Sequence, residues 1–344
     1  MIIVEKLQTF LILALIILSI TSLLYYIYYK TYNKKKLIQS RLIPNSRNIA
    51  GEGGIIFVFL FLFFCWFLST SKLVFDNMNL QVIPRFYIFF ISVVALSILS
   101  YIDDKFDLSK KIRFIFQIII CFASLSALNL PLVDQLPLKL EFIIIIFIWV
   151  YIINTTNFID GLNGVVGSNG ITFFFGSLII INHYGIDDNF FILINFLTLI
   201  LVTSFLIFNY PKAYIFFGDT GSIPLGYIIG YITFYFFSLD IFYPLIFIFT
   251  YPLVDVSITL FDKTFIRKKL PWARLFDYYF LMPVINGKKS HSFVTNKIIL
   301  NNILNILFLI LFLNYQENKL FLFLPILSSI YLVYYFRKYK KVKS

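Results

Sequence analysis

The sequence is short of cysteine and of charge, and both shortages narrow what the protein can be. Its two cysteines, Cys65 and Cys121, lie inside apolar runs. They are predicted to be small buried side chains, with neither a disulfide framework nor the spacing of a cysteine metal site. Only 13% of the 344 residues are charged, and no soluble domain, internal repeat or low-complexity linker is evident. We therefore treat residues 1–344 as a single domain.

Apolar residues are abundant instead, and they are gathered in long runs. They make up 60% of the chain, with a mean hydropathy of +0.88, whereas soluble proteins are about half apolar. A spanning helix needs about 20 mostly apolar residues, and about eleven runs approach that length. The predicted helices are 7–29, 54–71, 84–101, 112–130, 138–156, 164–182, 190–209, 221–238, 241–261, 297–314 and 319–336. The predicted fold is an all-α integral membrane protein, a polytopic bundle of about 10–11 transmembrane helices.

The first run, 7–29, is too long for the apolar region of a signal peptide and has no small-residue cleavage site. It predicts a retained first helix. The net charge of +12 could by itself indicate a nucleic-acid partner. Lys and Arg, however, are concentrated in alternate connections and in the C-terminal tail, which is typical of the cytoplasmic side of a membrane protein. This pattern predicts an N-terminus outside, a cytoplasmic C-terminus and no nucleic-acid partner.

Under that topology, seven of the aspartates also fall on the cytoplasmic side. They are Asp103, Asp104, Asp107, Asp160, Asp219, Asp262 and Asp277. Polar clusters from separate connections therefore converge on one membrane face. That convergence predicts an active site at the cytoplasmic boundary, where a lipid and a soluble substrate can meet.

The first cluster, Y-I-D-D-K-F-D, covers Tyr101–Asp107. Adjacent carboxylates suit Mg²⁺, which takes one or two of them together with waters and substrate phosphates. Crowded like charges can also turn one carboxylate into a general base. The alternative is a solvated helix end whose acids pair with the lysines that follow.

The second cluster, N-T-T-N-F-I-D-G-L-N-G, covers Asn154–Gly164 and directly follows a strongly apolar run. Three carboxamides and a carboxylate at a membrane boundary exceed what an Asn/Gly turn needs. The third cluster, F-F-G-D-T-G-S, covers Phe216–Ser222. It offers backbone N–H groups, a hydroxyl and a carboxylate to a phosphate or its metal. The alternative there is an Asp N-cap with glycines for the turn.

A basic loop, 262–297, contains N-G-K-K-S-H and could hold a diphosphate or anionic lipid headgroups. Plain positive-inside bias is the alternative for this loop. The connection after the first predicted helix contains P-N-S-R, 44–47, and then G-E-G-G, 51–54. Its glycines permit close helix packing or close approach of a substrate.

In chain order, the motifs are P-N-x-R, D-D-x-x-D, R-x-x-x-Q, N-x-x-N-F-x-D-G-x-N-G, G-D-x-G-S, Y-P-x-x-D and the basic loop with its single histidine. This order, over residues 7–336, resembles the polyprenyl-phosphate N-acetylhexosamine-1-phosphate transferases. The resemblance implies that undecaprenyl phosphate attacks the β-phosphorus of a UDP-N-acetylhexosamine and that UMP leaves. It further implies Mg²⁺ as the cofactor, with Mn²⁺ as a substitute, and a multi-pass location in the bacterial inner membrane, and it allows a homodimer.

The resemblance also implies roles for individual residues. The metal ligands would be Asp219 and Asp104. The catalytic residues would be Asp103, as the proposed base, with Asp104, Asp160 and His291. The substrate-binding residues would be Asn45, Arg47, Lys111, Arg113, Asn154, Asn157, Asn163, Lys288 and Lys289.

Three departures bear on the substrate. Asn163 stands where many members have Asp, Glu52 stands near a usual Arg, and K-K-S-H carries one histidine. The single histidine favours enzymes that initiate O-antigen or other surface polysaccharides over the peptidoglycan phospho-MurNAc-pentapeptide transferase, which stays an alternative. A transporter would need polar residues near mid-membrane on several helices, whereas these acids lie at one boundary. An inactive scaffold homologue is a third alternative. The presence of four aspartates counts against it, namely Asp103, Asp104, Asp160 and Asp219.

Overall fold

The computed structural model describes residues 2–31, 49, 51–70, 83–128, 138–270, 278–315 and 318–340. Two of the predicted substrate-binding residues, Asn45 and Arg47, lie outside these ranges, as does Asp277. The described residues form α-helices and short 3₁₀ or π turns without a β-strand. The all-α prediction is therefore confirmed.

Helices account for nearly all of the described chain. In the first half they are α1 (Ile2–Thr31), α2 (Gly53–Thr70), α3 (Ile83–Phe106), α4 (Lys110–Leu128), α5 (Leu138–Ile159), α6 (Val165–Tyr184) and α7 (Asn189–Asn209). In the second half they are α8 (Asp219–Phe237), α9 (Leu245–Ile248), α10 (Thr250–Phe261), α11 (Met282–Ile285), α12 (His291–Asn314) and α13 (Phe323–Arg337). Within the described ranges, 9 helices are long and apolar enough to cross a membrane. This agrees with a polytopic membrane protein.

The centre of the bundle is α8, which packs against α5, α3 and α2. Glycines on one side of α8 let α5 approach at backbone distance. A Cβ atom on Gly226 would lie 2.7 Å from the Cα of Ile153, and one on Gly230 would lie 2.2 Å from the indole of Trp149. Close backbone approach at small residues is how helices associate where the surrounding lipid is as apolar as the side chains. The helix that carries the Gly-Asp-Thr-Gly-Ser motif is thus held on several sides.

One predicted helix, 241–261, is wrong as a continuous element. The structure breaks it between α9 and α10 at Phe249, whose φ of −135° and ψ of 16° are not helical. The cause is Pro252, because a proline ring inside a helix clashes with the carbonyl of the residue four positions earlier, here Ile248. At its other end α10 continues into a π turn, Asp262–Ile266.

Several helices reach further toward the acidic end of the bundle than predicted. The third helix ends at Phe106 rather than 101, and the fifth ends at Ile159 rather than 156. The predicted helix 297–314 begins at His291, where Ser290 caps it by accepting a hydrogen bond from the N–H of Phe293 at 3.1 Å. Asp103, Asn157 and His291 are therefore helical residues in terminal turns. That placement fixes the direction of each side chain more firmly than a loop would.

Candidate active site

Five helix ends meet where the acidic motifs lie. They are the last turns of α3 and α5 and the first turns of α2, α4 and α8. They bring together a polar cluster, which consists of Asp103, Arg113, Asn157, Asp160 and Asp219. Each residue comes from a helix terminus, or from the turn next to one. A polar residue at such a position can meet water while the rest of its helix stays in hydrocarbon.

Arg113 joins two of the carboxylates. Its Nη1 atom lies 2.6 Å from Oδ2 of Asp103 and 3.7 Å from Oδ2 of Asp219. The side chain of Asp103 is only 8% exposed, and its second oxygen, Oδ1, is buried without a hydrogen-bond partner among the described residues. A buried carboxylate oxygen without a donor is costly, and such atoms mark places where an ion or a water is needed.

Asn157 fixes the orientation of Asp219. The amide nitrogen of Asn157 donates to Oδ1 of Asp219 at 2.9 Å and to the hydroxyl of Ser222 at 3.0 Å. Asp219 opens α8 directly after Gly218, whose φ of 73° suits glycine. The carboxylate therefore stands at a helix N-terminus, where the helix dipole favours negative charge. A phosphate or its counter-ion would meet the same field.

Asp160 follows α5 directly and stands in the opposite electrostatic situation. Burial raises its pKa well above the usual range for a carboxyl group, the negative charge of Asp219 raises it further, and the backbone N–H of Gly218 offsets this only in part. Two carboxylates this close cannot both be ionised without cost. Asp160 can therefore hold a proton under conditions in which an exposed aspartate would not.

The Gly-Glu-Gly-Gly segment supports this arrangement from the side. The N–H groups of Gly53 and Gly54 donate to the carbonyls of Phe216 and Phe217 at 3.0 and 2.9 Å. A Cβ atom on Gly54 would lie 2.2 Å from the backbone nitrogen of Gly221. Of the two roles open for these glycines, the structure therefore shows close packing.

Asn154 is held inside the bundle one turn before Asn157. Its amide nitrogen donates to Oε1 of Gln117 and to the carbonyl of Val150, both at 2.8 Å. Only the carbonyl oxygen of its side chain is left to face a ligand. The Arg-x-x-x-Gln motif of α4 thus places one residue against each acidic segment, Arg113 on Asp103 and Gln117 on Asn154.

His291 reaches the second cluster from α12. Its Nδ1 atom accepts a hydrogen bond from the backbone N–H of Asn163 at 3.2 Å, and the hydroxyl of Thr295 donates to the carbonyl of Asn163 at 2.7 Å. Because Nδ1 accepts, a neutral imidazole carries its proton on Nε2. His291 can then donate from Nε2 to an anion. The sole histidine of the basic segment is therefore joined to the polar cluster through the α5–α6 connection.

The remaining predicted site residues lie on the surface. Asp104 and Lys111 are exposed at the facing ends of α3 and α4, and Lys288 and Lys289 are exposed just before α12. They lie at the same end of the bundle as the polar cluster. Their long or flexible side chains could extend to a bound anion.

Two residues shape the site in ways that the sequence does not predict. The motif at 216–222 predicts a hydroxyl that faces a phosphate, but the hydroxyl of Ser222 accepts a hydrogen bond from Asn157. The second residue is Asn209, which belongs to none of the motifs. It accepts from the N–H of Gly164 at 2.6 Å and donates to the carbonyl of Ile215 at 2.8 Å, so it ties the second motif to the third. A buried asparagine at the end of an apolar helix was the available signal.

Known proteins resemble part of this chain. A family model described as glycosyl transferase family 4 matches residues 86–237. A phospho-N-acetylmuramoyl-pentapeptide-transferase of Leuconostoc citreum is 25% identical over 226 residues, which are 61% of this chain and 70% of that protein. A probable undecaprenyl-phosphate N-acetylglucosaminyl 1-phosphate transferase of Bacillus subtilis is 30% identical over 181 residues, 49% of this chain and 48% of that protein.

A third relative is the undecaprenyl-phosphate alpha-N-acetylglucosaminyl 1-phosphate transferase of Thermotoga maritima. It is 25% identical over 196 residues, 57% of this chain and 61% of that protein. The match thus spans about half to two thirds of each chain. The polar cluster falls entirely inside the part that the family model covers, whereas His291 lies beyond it.

Proposed function

We propose that this chain, whose residues 86–237 match the model described as glycosyl transferase family 4, transfers an N-acetylhexosamine 1-phosphate from a UDP-sugar to undecaprenyl phosphate. An oxygen of the lipid phosphate attacks the β-phosphorus of the nucleotide sugar. The bond from that phosphorus to UMP breaks, UMP leaves with the electron pair, and a lipid-diphosphate-sugar forms. The reaction would take place at the cytoplasmic face of the bacterial inner membrane.

The observation that carries this proposal is the meeting of Asp103, Arg113 and Asp219 at adjoining helix ends. Phosphoryl transfer demands positioning and neutralisation of charge more than covalent chemistry. A set of carboxylates, one guanidinium and oriented amides at a membrane boundary supplies both requirements. A transporter would instead need such groups near mid-membrane.

The residues present fit a hard divalent cation. Among the described residues, no three His, Cys, Asp or Glu side chains form a metal-binding group, but Mg²⁺ usually takes only one or two carboxylates together with waters and phosphates. Asp219 and Asp103 offer such oxygens, and within the described ranges the buried Oδ1 of Asp103 has no hydrogen-bond partner. Asp104, at the same helix end, is the further ligand we propose. When bound there, Mg²⁺ or Mn²⁺ would neutralise charge on the diphosphate and on the leaving UMP.

The other residues would bind and orient the substrates. Asn157 holds Asp219 in place through its amide nitrogen. His291 would donate from Nε2 to a phosphate or sugar oxygen, because its Nδ1 is engaged by Asn163. The lysines at 111, 288 and 289 would attract the anionic headgroup of the lipid and the diphosphate of the nucleotide. Asp103 is paired with Arg113, which favours charge neutralisation over proton abstraction as its main role.

The decisive experiment is UMP release by purified protein with undecaprenyl phosphate, with and without Mg²⁺, across a panel of UDP-N-acetylhexosamines. We expect UMP from one donor, dependent on both lipid and metal, and the responsive donor would identify the sugar. Folded protein that binds no donor and releases no UMP with any of them would overturn the proposal.

A second candidate is transfer of phospho-MurNAc-pentapeptide, the reaction named for the Leuconostoc relative, which shows the greatest coverage of the three. The pentapeptide donor therefore belongs in the same panel. UMP release from UDP-MurNAc-pentapeptide alone would establish that function. Release only from a simple UDP-N-acetylhexosamine would favour initiation of O-antigen or another surface polysaccharide.

A further inference from the structure

Arg113 occupies an unusual position between three helices. It comes from the first turn of α4, and its single Nη1 atom faces Asp103 at the end of α3 and Asp219 at the start of α8, at 2.6 and 3.7 Å. The side chain of Arg113 is 22% exposed and that of Asp103 is 8% exposed. One guanidinium therefore neutralises two carboxylates that belong to the candidate metal site.

The pairing is also incomplete. A guanidinium has five N–H donors and prefers to meet a carboxylate with two parallel hydrogen bonds. Here Asp103 accepts through Oδ2 only, and its buried Oδ1 has no partner among the described residues. Asp219 lies at 3.7 Å, beyond a good hydrogen bond. An oxygen-seeking cation could therefore replace these contacts at low cost.

A contrasting arginine in this chain commits its donors to a single acid. Both Nε and Nη2 of Arg267 donate to Oδ2 of the buried Asp262, the Nε contact at 2.8 Å, and Lys340 donates to the same oxygen at 2.9 Å. Two cationic side chains therefore serve one acid, and all of these bonds end on its Oδ2 atom. Arg113, by comparison, is divided between two acids and saturates neither.

We propose that Arg113 is a resident counter-ion that competes with the divalent cation for Asp103 and Asp219 and is passed to the substrate phosphates when the cation binds. This inference rests on the proposed function, and it makes Arg113 a positioning residue. The competition between Arg113 and the cation determines the order of binding. The cation must displace the guanidinium, so it binds weakly to the free protein and more tightly when a diphosphate is present to receive that guanidinium. Metal and nucleotide sugar would therefore bind cooperatively.

The test measures Mn²⁺ binding directly, without turnover. The free-Mn²⁺ signal in electron paramagnetic resonance is followed during titration of wild type, Arg113→Gln and Arg113→Lys in detergent, with and without UDP-N-acetylglucosamine. We expect Arg113→Gln to bind Mn²⁺ about tenfold more tightly than wild type when nucleotide sugar is absent. The sugar should tighten Mn²⁺ binding in wild type but much less in the variant. Arg267→Gln is the matched control and should leave Mn²⁺ affinity unchanged.

Each outcome decides the question. Equal or weaker Mn²⁺ binding by Arg113→Gln, with wild-type binding intact, would overturn the counter-ion role and leave the proposed reaction standing. Absence of saturable Mn²⁺ binding in wild type, even with nucleotide sugar, would overturn the metal-dependent function together with this inference. Should Arg113→Gln not fold, Arg113→Lys decides, because its ammonium lacks the planar fork and should tighten Mn²⁺ binding a few-fold; unchanged or weaker binding there would also overturn the proposal.

Discussion

Two groups of carboxylates at the same end of the bundle differ in the hydrogen bonds that they accept. Asp262 is buried and takes charged hydrogen bonds from Arg267 and Lys340. In the polar cluster, Asp103 shares one arginine with Asp219 and has a buried oxygen without a partner in the part of the chain that the structure describes. Both groups have helical frames and basic neighbours, so composition alone would not separate them. Among the described residues, Asp103 has a buried oxygen without a hydrogen-bond partner, whereas Asp262 has none. We call an acid without such an oxygen saturated.

The saturated acids join secondary-structure elements. Asp262 links the end of α10 to the residue that follows α13 by three positions, Lys340. Asp255, also fully buried, accepts from the hydroxyl of Tyr251 at 3.2 Å and from the backbone of Tyr279 and Phe280. The polar cluster also joins helices, but it leaves the buried Oδ1 of Asp103 without a partner among the described residues. Proteins break local rules of this kind at functional sites and compensate elsewhere.

The largest expected effect follows from removing the charge of Asp219. Asp219→Asn should lower UMP release by about 10³-fold, because the proposed cation would lose a ligand, while the hydrogen bond from Asn157 can still reach an amide oxygen. The apparent Tm in detergent should stay close to that of wild type. Full activity in Asp219→Asn would remove this residue from the metal site.

Asp160→Asn should separate activity from stability. We expect UMP release to fall by about 10²-fold and the apparent Tm to rise. Burial and the charge of Asp219 raise the pKa of Asp160, so its ionisation costs folding free energy that grows as the pH rises from about 4 through the folded pKa. The gain in Tm should accordingly be larger at pH 8 than at pH 5. A lower Tm for the variant at pH 8 would place Asp160 with the saturated acids instead.

Asp262→Asn should do the reverse and destabilise the fold by about 2 kcal/mol near neutral pH, with unchanged kcat for the protein that remains folded. Burial raises the pKa of Asp262, but the hydrogen bonds from Lys340 and Arg267 outweigh that effect and hold its pKa below the usual value. The stabilisation is therefore present above about pH 4 and is lost as the pH falls through the folded pKa.

Thermal unfolding of wild type and Asp262→Asn at pH 7 and at a series of values below pH 4 measures this dependence. The two curves should draw together only as the pH falls below about 4. Lys340→Ala should shift Tm in the same direction by less, since Arg267 remains. Loss of kcat without loss of Tm would contradict a purely structural role.

The smallest effect is expected at Asn163. Asn163→Asp should alter kcat/KM or the preference among UDP-sugars severalfold and leave Tm unchanged, because the contacts to His291 and Thr295 use the backbone of this residue. Kinetics with two or more donors would measure the change. Failure to fold would instead show that the Asn163 side chain is structural.

The sequence by itself determined the helices and the chemistry at their ends. Long apolar runs can satisfy their backbone in a membrane only by forming helices, so most of the predicted segments are confirmed to within a few residues. The motifs 101–107, 154–164 and 216–222 stand at helix termini because polar side chains are tolerated where hydrocarbon ends. Even the break at Phe249 has a signal in the chain, Pro252 four residues after Ile248.

Only the tertiary structure decided which of these polar groups meet, and how completely each is paired. A residue in a helix turns by about 100° per position, so a shift of one or two residues in where α3 or α4 ends changes which acid faces Arg113. How closely the helices approach one another around the polar cluster depends on glycine contacts such as Gly54 against Gly221, which join segments far apart in the chain. Hydropathy and charge patterns carry no information on such distances. The contrast between the unsaturated Asp103 and the saturated Asp262 therefore emerged only from the packed helices.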